Sequence, residues 1–192
     1  MALVLTSAPA VEPVSLDDAK AHLRIDGDGE DAIVATLVTV SRTHVERSLG
    51  RALITQGWQL VLDGWPVSPW LALPIMPVQA VGAITTYASD DAPTVFASDH
   101  YTLDAHSQPA RLVLRGAQSW PVPGRRANGI EITLTAGYGD AAEDVPAPLR
   151  QALLLLIAHW YERREPVVLD AAAADVPATV AGLIAPYRTV RL

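Results

Sequence analysis

The hydrophobic period of this chain changes once and then changes back, and that reversal leaves few folds open. Ile33, Val34, Leu37, Val38, Val45, Leu49 and Leu53 recur at helical spacing, one apolar stripe on a helix from about Gly29 to Ala52. Its opposite face carries Thr36, Arg42, Glu46 and Arg47. At Thr55 the period drops to two, with Trp58, Leu60 and Leu62 alternating with Gln59, Val61 and Asp63 as in a half-buried strand. Further strand-like stretches run Trp70 to Leu73, Val78 to Tyr87, His100 to Leu103, Ala110 to Leu114 and Ile130 to Thr135. Turn signals such as Asp90-Asp91-Ala92-Pro93 and Asn128-Gly129 separate them. Past Val145-Pro146-Ala147-Pro148 the helical period returns, and Leu149 to about Arg164 is apolar almost all round. Such a helix is either the centre of a core or also faces another subunit. A short helix precedes both: Ser15 is placed to cap it, Asp18 to complete a capping box, and Gly27 and Gly29 stop it.

These elements predict an α+β fold. A three-helix core is expected from 1–55 and 141–165, an inserted small antiparallel β region from 56–140, and a flexible C-terminal tail from 166–192. The tail reading rests on Ala171 to Ala174 and Pro177, which offer little to pack. A chain of 192 residues can bury roughly 70% of its unfolded surface and folds without a staple. There is no cysteine, which excludes disulfides, thiolate nucleophiles and Cys-type zinc sites. The net charge of −7 is the opposite of a phosphate-gripping footprint. The longest apolar run, Ala152 to Ala158, falls short of the ~20 residues that span a bilayer. The start, Met1 to Leu5, lacks the basic region of a signal peptide. Cytoplasmic synthesis and no membrane partner are the expectations.

Motifs for chemistry are absent or incomplete. Asp26-Gly27-Asp28-Gly29-Glu30-Asp31 resembles a calcium loop at first, but a calcium-binding helix-loop-helix needs Gly and Glu where Asp31 and Leu37 stand. The five histidines include no pair at zinc-binding helical spacing. His44 and His159 are expected to pack in the core. No nucleophile elbow, phosphate loop or dinucleotide fingerprint occurs, so neither catalysis nor a cofactor is expected. Arg125-Arg126 and Arg163-Arg164 are too few for a nucleic-acid site in an acidic chain. What stands out is apolar surface: Trp58, Trp65, Trp70 and Trp120 crowd the β region. Exposed apolar surface with a polar rim marks association. A rival reading is a monomeric binding module in which Trp65, Trp70 and Trp120 stack on a small ligand or carbohydrate.

The order Pro13-Val14-Ser15-Leu16-Asp17-Asp18 through His22-Leu23-Arg24, then Val45-Glu46-Arg47-Ser48-Leu49-Gly50-Arg51 and Gln56 with Trp58, resembles the head–tail connector proteins of tailed phages. Leu73 to Val78, Tyr101 to Asp104, Ile132 to Asp140, Val145 to Arg150 and the segment around Pro186-Tyr187-Arg188 continue the resemblance. It is to the longer members, with a β insertion, found in prophages and gene transfer agents. The resemblance implies a non-enzymatic adaptor in the particle neck. Such a subunit forms a ring of about twelve copies beneath the portal protein, extends the DNA channel and presents a platform to a stopper or other neck or tail protein. DNA would pass without sequence-specific binding, which an acidic wall suits. A ring of head-to-tail contacts needs two different complementary patches on each subunit. Helices two and three, through Arg42, Glu46, Leu156 and Trp160, are the expected subunit interface. Tyr187, Arg188, Arg191 and Leu192 are the expected portal-binding residues, because aromatic and Arg side chains anchor interfaces.

Overall fold

The computed structural model describes residues 1–163 and 176–188. The fold is mixed α+β, and the chain divides into two compact units, each assembled from stretches distant in sequence. Met1–Ala10 and Thr55–Tyr138 form a β unit, while Val11–Ile54 and Gly139–Leu192 form a helical unit.

In the β unit, eight strands are β1 (Ala2–Ser7), β2 (Gln56–Leu62), β3 (Trp70–Ala72), β4 (Val78–Tyr87), β5 (Pro93–Phe96), β6 (Tyr101–Asp104), β7 (Arg111–Leu114) and β8 (Ile130–Ala136). They make a five-stranded sheet in the order β1-β2-β8-β4-β5 and a three-stranded sheet in the order β3-β7-β6. All pairings are antiparallel. The alternation seen in β2 and β8 fixes their register: Leu60 faces Ile132 and Leu62 faces Ile130 across the pair, and all four are buried. A slip of one residue would turn this whole apolar row to water. The small sheet buries Leu71, Tyr101 and Leu112 in the same way.

Strand β1 corrects the expectation that 1–55 is helical core. Ala2-Leu3-Val4-Leu5-Thr6-Ser7 has no helical period and no clean alternation, and it becomes a strand by pairing with β2 from Ala2–Val61 to Ser7–Gly57. Strand β5 was also unforeseen, since Pro93 and the flanking acids read as a turn.

The helical unit contains α1 (Leu16–Leu23), α2 (Asp31–Leu49), α3 (Ala147–Glu162) and α4 (Ala178–Ile184). Ser15 caps α1, its hydroxyl oxygen accepting from the Asp18 amide at 3.0 Å, as the sequence spacing requires. Arg24, at φ 57°, closes it in the left-handed region. Gly50 ends α2 at φ 64°, a conformation open to glycine at little cost. Val34, Val38, Val45 and Leu49 of α2 are buried, as are Leu149, Leu153, Leu156 and Ile157 of α3. Each such side chain contributes about 1.5–3 kcal/mol by leaving water.

Helix α4 corrects the tail reading for its part of 166–192. Val180 and Ile184 are 0% and 2% exposed, so this short helix belongs to the core of the unit. Its sequence hid the fact because two apolar residues one turn apart suffice when a greasy neighbour such as α3 supplies the rest.

Candidate functional site

Within the helical unit, Arg42 and Glu46 do not lie on a solvent face; both are 8% exposed. Arg42 Nε and Nη2 donate to the two carboxylate oxygens of Glu12 at 2.7 and 3.4 Å, and Nη1 donates to Glu46 at 2.8 Å. The second Glu46 oxygen accepts from the Leu53 backbone amide at 2.8 Å. Thr39 donates its hydroxyl to Glu12 at 2.9 Å. Burial pulls the Arg42 guanidinium down, but the hydrogen bonds and charges of Glu12 and Glu46 outweigh it and hold its pKa above the ordinary value. A planar guanidinium has the fork needed to serve two carboxylates at once. This cluster fastens the segment before α1, and the exit of α2, to the helix itself.

Leu156 is likewise 0% exposed and has no surface to give a neighbour. Of the four expected interface residues, only Trp160 keeps partial exposure. The periodic stripe of α2 in fact divides. Val34, Val38 and Val45 turn inward, whereas Ile33 and Val40 are 45% and 47% exposed.

That outer face of α2 forms one wall of an open groove of about 690 Å³ lined by Thr39, Val40, Thr43, His44, Arg47 and Trp160. His44, expected in the core, is exposed here and meets the edge of Trp160, with ring centroids 5.6 Å apart and planes at 89°. His159 is half-buried. A second recess of about 560 Å³ touches another side of α2 and is lined by Val11, Glu12, Leu16, Ala35, Asp140 and Glu143. The groove has the basic Arg47 and the recess has acids. Sequence reasoning missed both, although the outward run Ile33, Val40, Arg47 at seven-residue spacing was readable as a second stripe.

At the C-terminal side, Tyr187 is half-buried and Arg188 exposed. The Tyr187 carbonyl accepts from Arg51 Nε at 2.7 Å, so a buried arginine just past α2 anchors the segment that follows α4. Arg191 and Leu192 lie outside the described residues.

In the β unit, Trp65 and Trp120 stack on each other at 4.3 Å and 8° between planes. Their indole N–H groups donate to the carbonyls of Pro121 and Ser68 at 2.7 and 3.1 Å. Trp70 is 41% exposed with the Arg111 guanidinium 5.7 Å above its ring. Two of the three tryptophans of the carbohydrate reading therefore spend a face on each other. Arg125 lies over Tyr87 at 4.0 Å and pairs with Asp91 at 2.5 Å, which engages one half of the Arg125-Arg126 pair. Asp31, the last residue of the calcium-like run and the first of α2, is paired with Lys20 at 2.5 Å. Among the described residues, no three His, Asp or Glu side chains gather as a metal-binding group. No described helix is long and apolar enough to cross a membrane.

Comparison with known proteins bears on these surfaces. The sequence model of the phage gp6-like head-tail connector protein family matches residues 13–90. A chain of the virion of a native gene transfer agent particle is 30% identical, with a TM-score of 0.85, covering 100% of this chain and 97% of that one. The chain belongs to the gp6-like head–tail connector family. A chain from the neck of an empty gene transfer agent particle, computed with sixfold symmetry, matches this connector at 30% identity and a TM-score of 0.84, with the same coverage. One from the neck of the native particle, computed with twelvefold symmetry, matches at 30% identity and 0.75, over 98% of the connector and 97% of that chain. No curated protein matches it by sequence. The family match takes in α1, α2 and strands β2 to β4, whereas the particle structures match both units of the connector throughout.

Proposed function

We propose that this connector is a structural adaptor subunit of a particle neck, one of about twelve copies in a ring beneath the portal protein. The ring joins the DNA-filled head to the stopper or another neck protein and lengthens the DNA channel. One observation carries the reading: the whole chain superposes on a neck component of gene transfer agent particles at 30% identity and a TM-score of 0.84. The twelvefold reconstruction of the related neck supports the copy number. The net charge of −7 suits a wall past which DNA slides.

Portal attachment falls to the C-terminal residues Tyr187, Arg188, Arg191 and Leu192. The anchoring of Tyr187 through Arg51 and the burial of Val180 and Ile184 decide how this is tested. Truncation after Ala178 would strip the core, so the informative change is removal of residues 189–192 together with Tyr187→Ala and Arg188→Ala. The variant and the full chain are each mixed with purified portal rings, and the masses of the complexes are measured in solution. The full chain should add about twelve copies per portal ring and the variant should add none while keeping its helical circular dichroism. A full chain that never joins the portal overturns the adaptor reading. A variant that still joins overturns the C-terminal assignment.

A further inference from the structure

The groove and the recess on the helical unit differ from each other in the way a ring contact requires. A cyclic ring is built from heterologous contacts, in which one patch of each subunit meets a different patch of the next. The groove presents Val40 and Trp160 beside Arg47. The recess presents Val11 and Leu16 beside Asp140 and Glu143. Val40 and Val11 are 47% and 44% exposed, and Arg47, Asp140 and Glu143 are all exposed. Each patch is thus an apolar centre with a charged rim, of opposite sign in the two cases. Neither can form a self-complementary contact without setting like charges against each other, a juxtaposition that costs several kcal/mol.

Their placement around α2 also fits. At about 100° per residue, the α2 positions lining the groove and those lining the recess centre roughly 140° apart around the helix axis. In a ring of twelve, the two neighbours of a subunit lie about 150° apart as seen from it. A helix standing along the ring axis would therefore point its groove at one neighbour and its recess at the other.

We infer that the occupant of the groove is a second copy of this chain, whose Val11/Leu16 recess covers Val40 and Trp160 while its Asp140 and Glu143 meet Arg47. The inference rests on the ring reading and adds to it the residues and direction of the contact. Apolar burial supplies the adhesion, and the charged rim supplies the head-to-tail sense and rejects head-to-head pairs.

The chain has no cysteine, so introduced thiols report one contact without background. Thr43→Cys lines the groove and Ala142→Cys lines the recess. The double variant, assembled on portal rings and mildly oxidised, should give a ladder of cross-linked species on a denaturing gel up to the full ring. A mixture of the two single variants should stop at dimers, and either single variant alone should give monomers. In parallel, Arg47→Glu should weaken ring assembly at least tenfold, and combining it with Asp140→Arg and Glu143→Arg should restore it, with circular dichroism of each variant showing the native fold. A double-cysteine ring that microscopy shows assembled but that yields no ladder refutes this interface and leaves the ring reading standing. Dimers from a single-cysteine variant refute the head-to-tail sense. Failure of the unmodified chain to form a ring on the portal defeats both.

Discussion

Arg42→Ala separates the two roles open to that residue, a packed ion pair or a contact between subunits. In the structure it loses three N–H···O bonds, at 2.7, 2.8 and 3.4 Å, and leaves two carboxylates facing a methyl group. Removing one partner of a buried pair costs about 3–5 kcal/mol, mostly as uncompensated charge. The side chains of Glu12 and Glu46 are 29% and 9% exposed, so Glu12 regains water easily and Glu46 does not. The lower end therefore applies, about 3 kcal/mol. With a urea dependence of about 2 kcal/mol per molar, the unfolding midpoint should fall by ~1.5 M. Far-UV circular dichroism across a urea titration reads this directly, because the cluster lies in the helical unit. Arg42→Lys, which keeps the charge but not the fork, should fall between the two. An Arg42→Ala protein within about 0.5 kcal/mol of the parent, the ordinary range for surface changes, refutes the reasoning. If that variant also failed to form rings, Arg42 would return to the subunit interface.

Ile184→Ala should cost about 2–4 kcal/mol in the same titration, because it empties a buried site where α4 meets the rest of the helical unit; a loss near zero would restore the flexible-tail reading for this segment. Asp104 accepts from the amide and hydroxyl of Ser107 and from Arg111, and these bonds, Ser107 first, hold its carboxyl well below the usual value of 3.8. A depressed carboxylate contributes stability above its unfolded pKa and loses it as pH falls through the folded one. Asp104→Asn should therefore melt below the parent at pH 6, and the gap should close as pH drops beneath 3.8; a gap independent of pH in thermal melts would contradict this.

What could be read in the sequence was whatever its period announces. Ser15 with Asp18, the stripe of α2 and the paired alternation of β2 and β8 are local patterns, and local patterns survive into the fold. What escaped was settled between distant residues. Arg42 looked solvated because a charged side chain on a helix is assigned to water by default, and its partner Glu12 is thirty positions away. The apolar neighbours of His44 suggest an inward place for it, yet it stands on the exposed side of α2 with Val40 and Arg47. Strand β1 exists through its ladder to β2 and not through its composition. Trp65 and Trp120 looked like free aromatic surface until the chain brought them face to face across fifty-five positions. The groove and the recess were hidden for the same reason, each drawing its walls from separate segments.

Because the helical unit takes Val11–Ile54 from one end of the sequence and Gly139–Leu192 from the other, α2 emerges from the ribosome about a hundred residues before α3. At ordinary synthesis speeds of 5–20 residues per second, roughly 5 to 20 seconds pass with Val34, Val38 and Val45 uncovered. Nascent chains written in this order cannot finish their own interior early. Premature association is a hazard of the order in which this polypeptide is written, and holding factors on the emerging chain would be met first by α2.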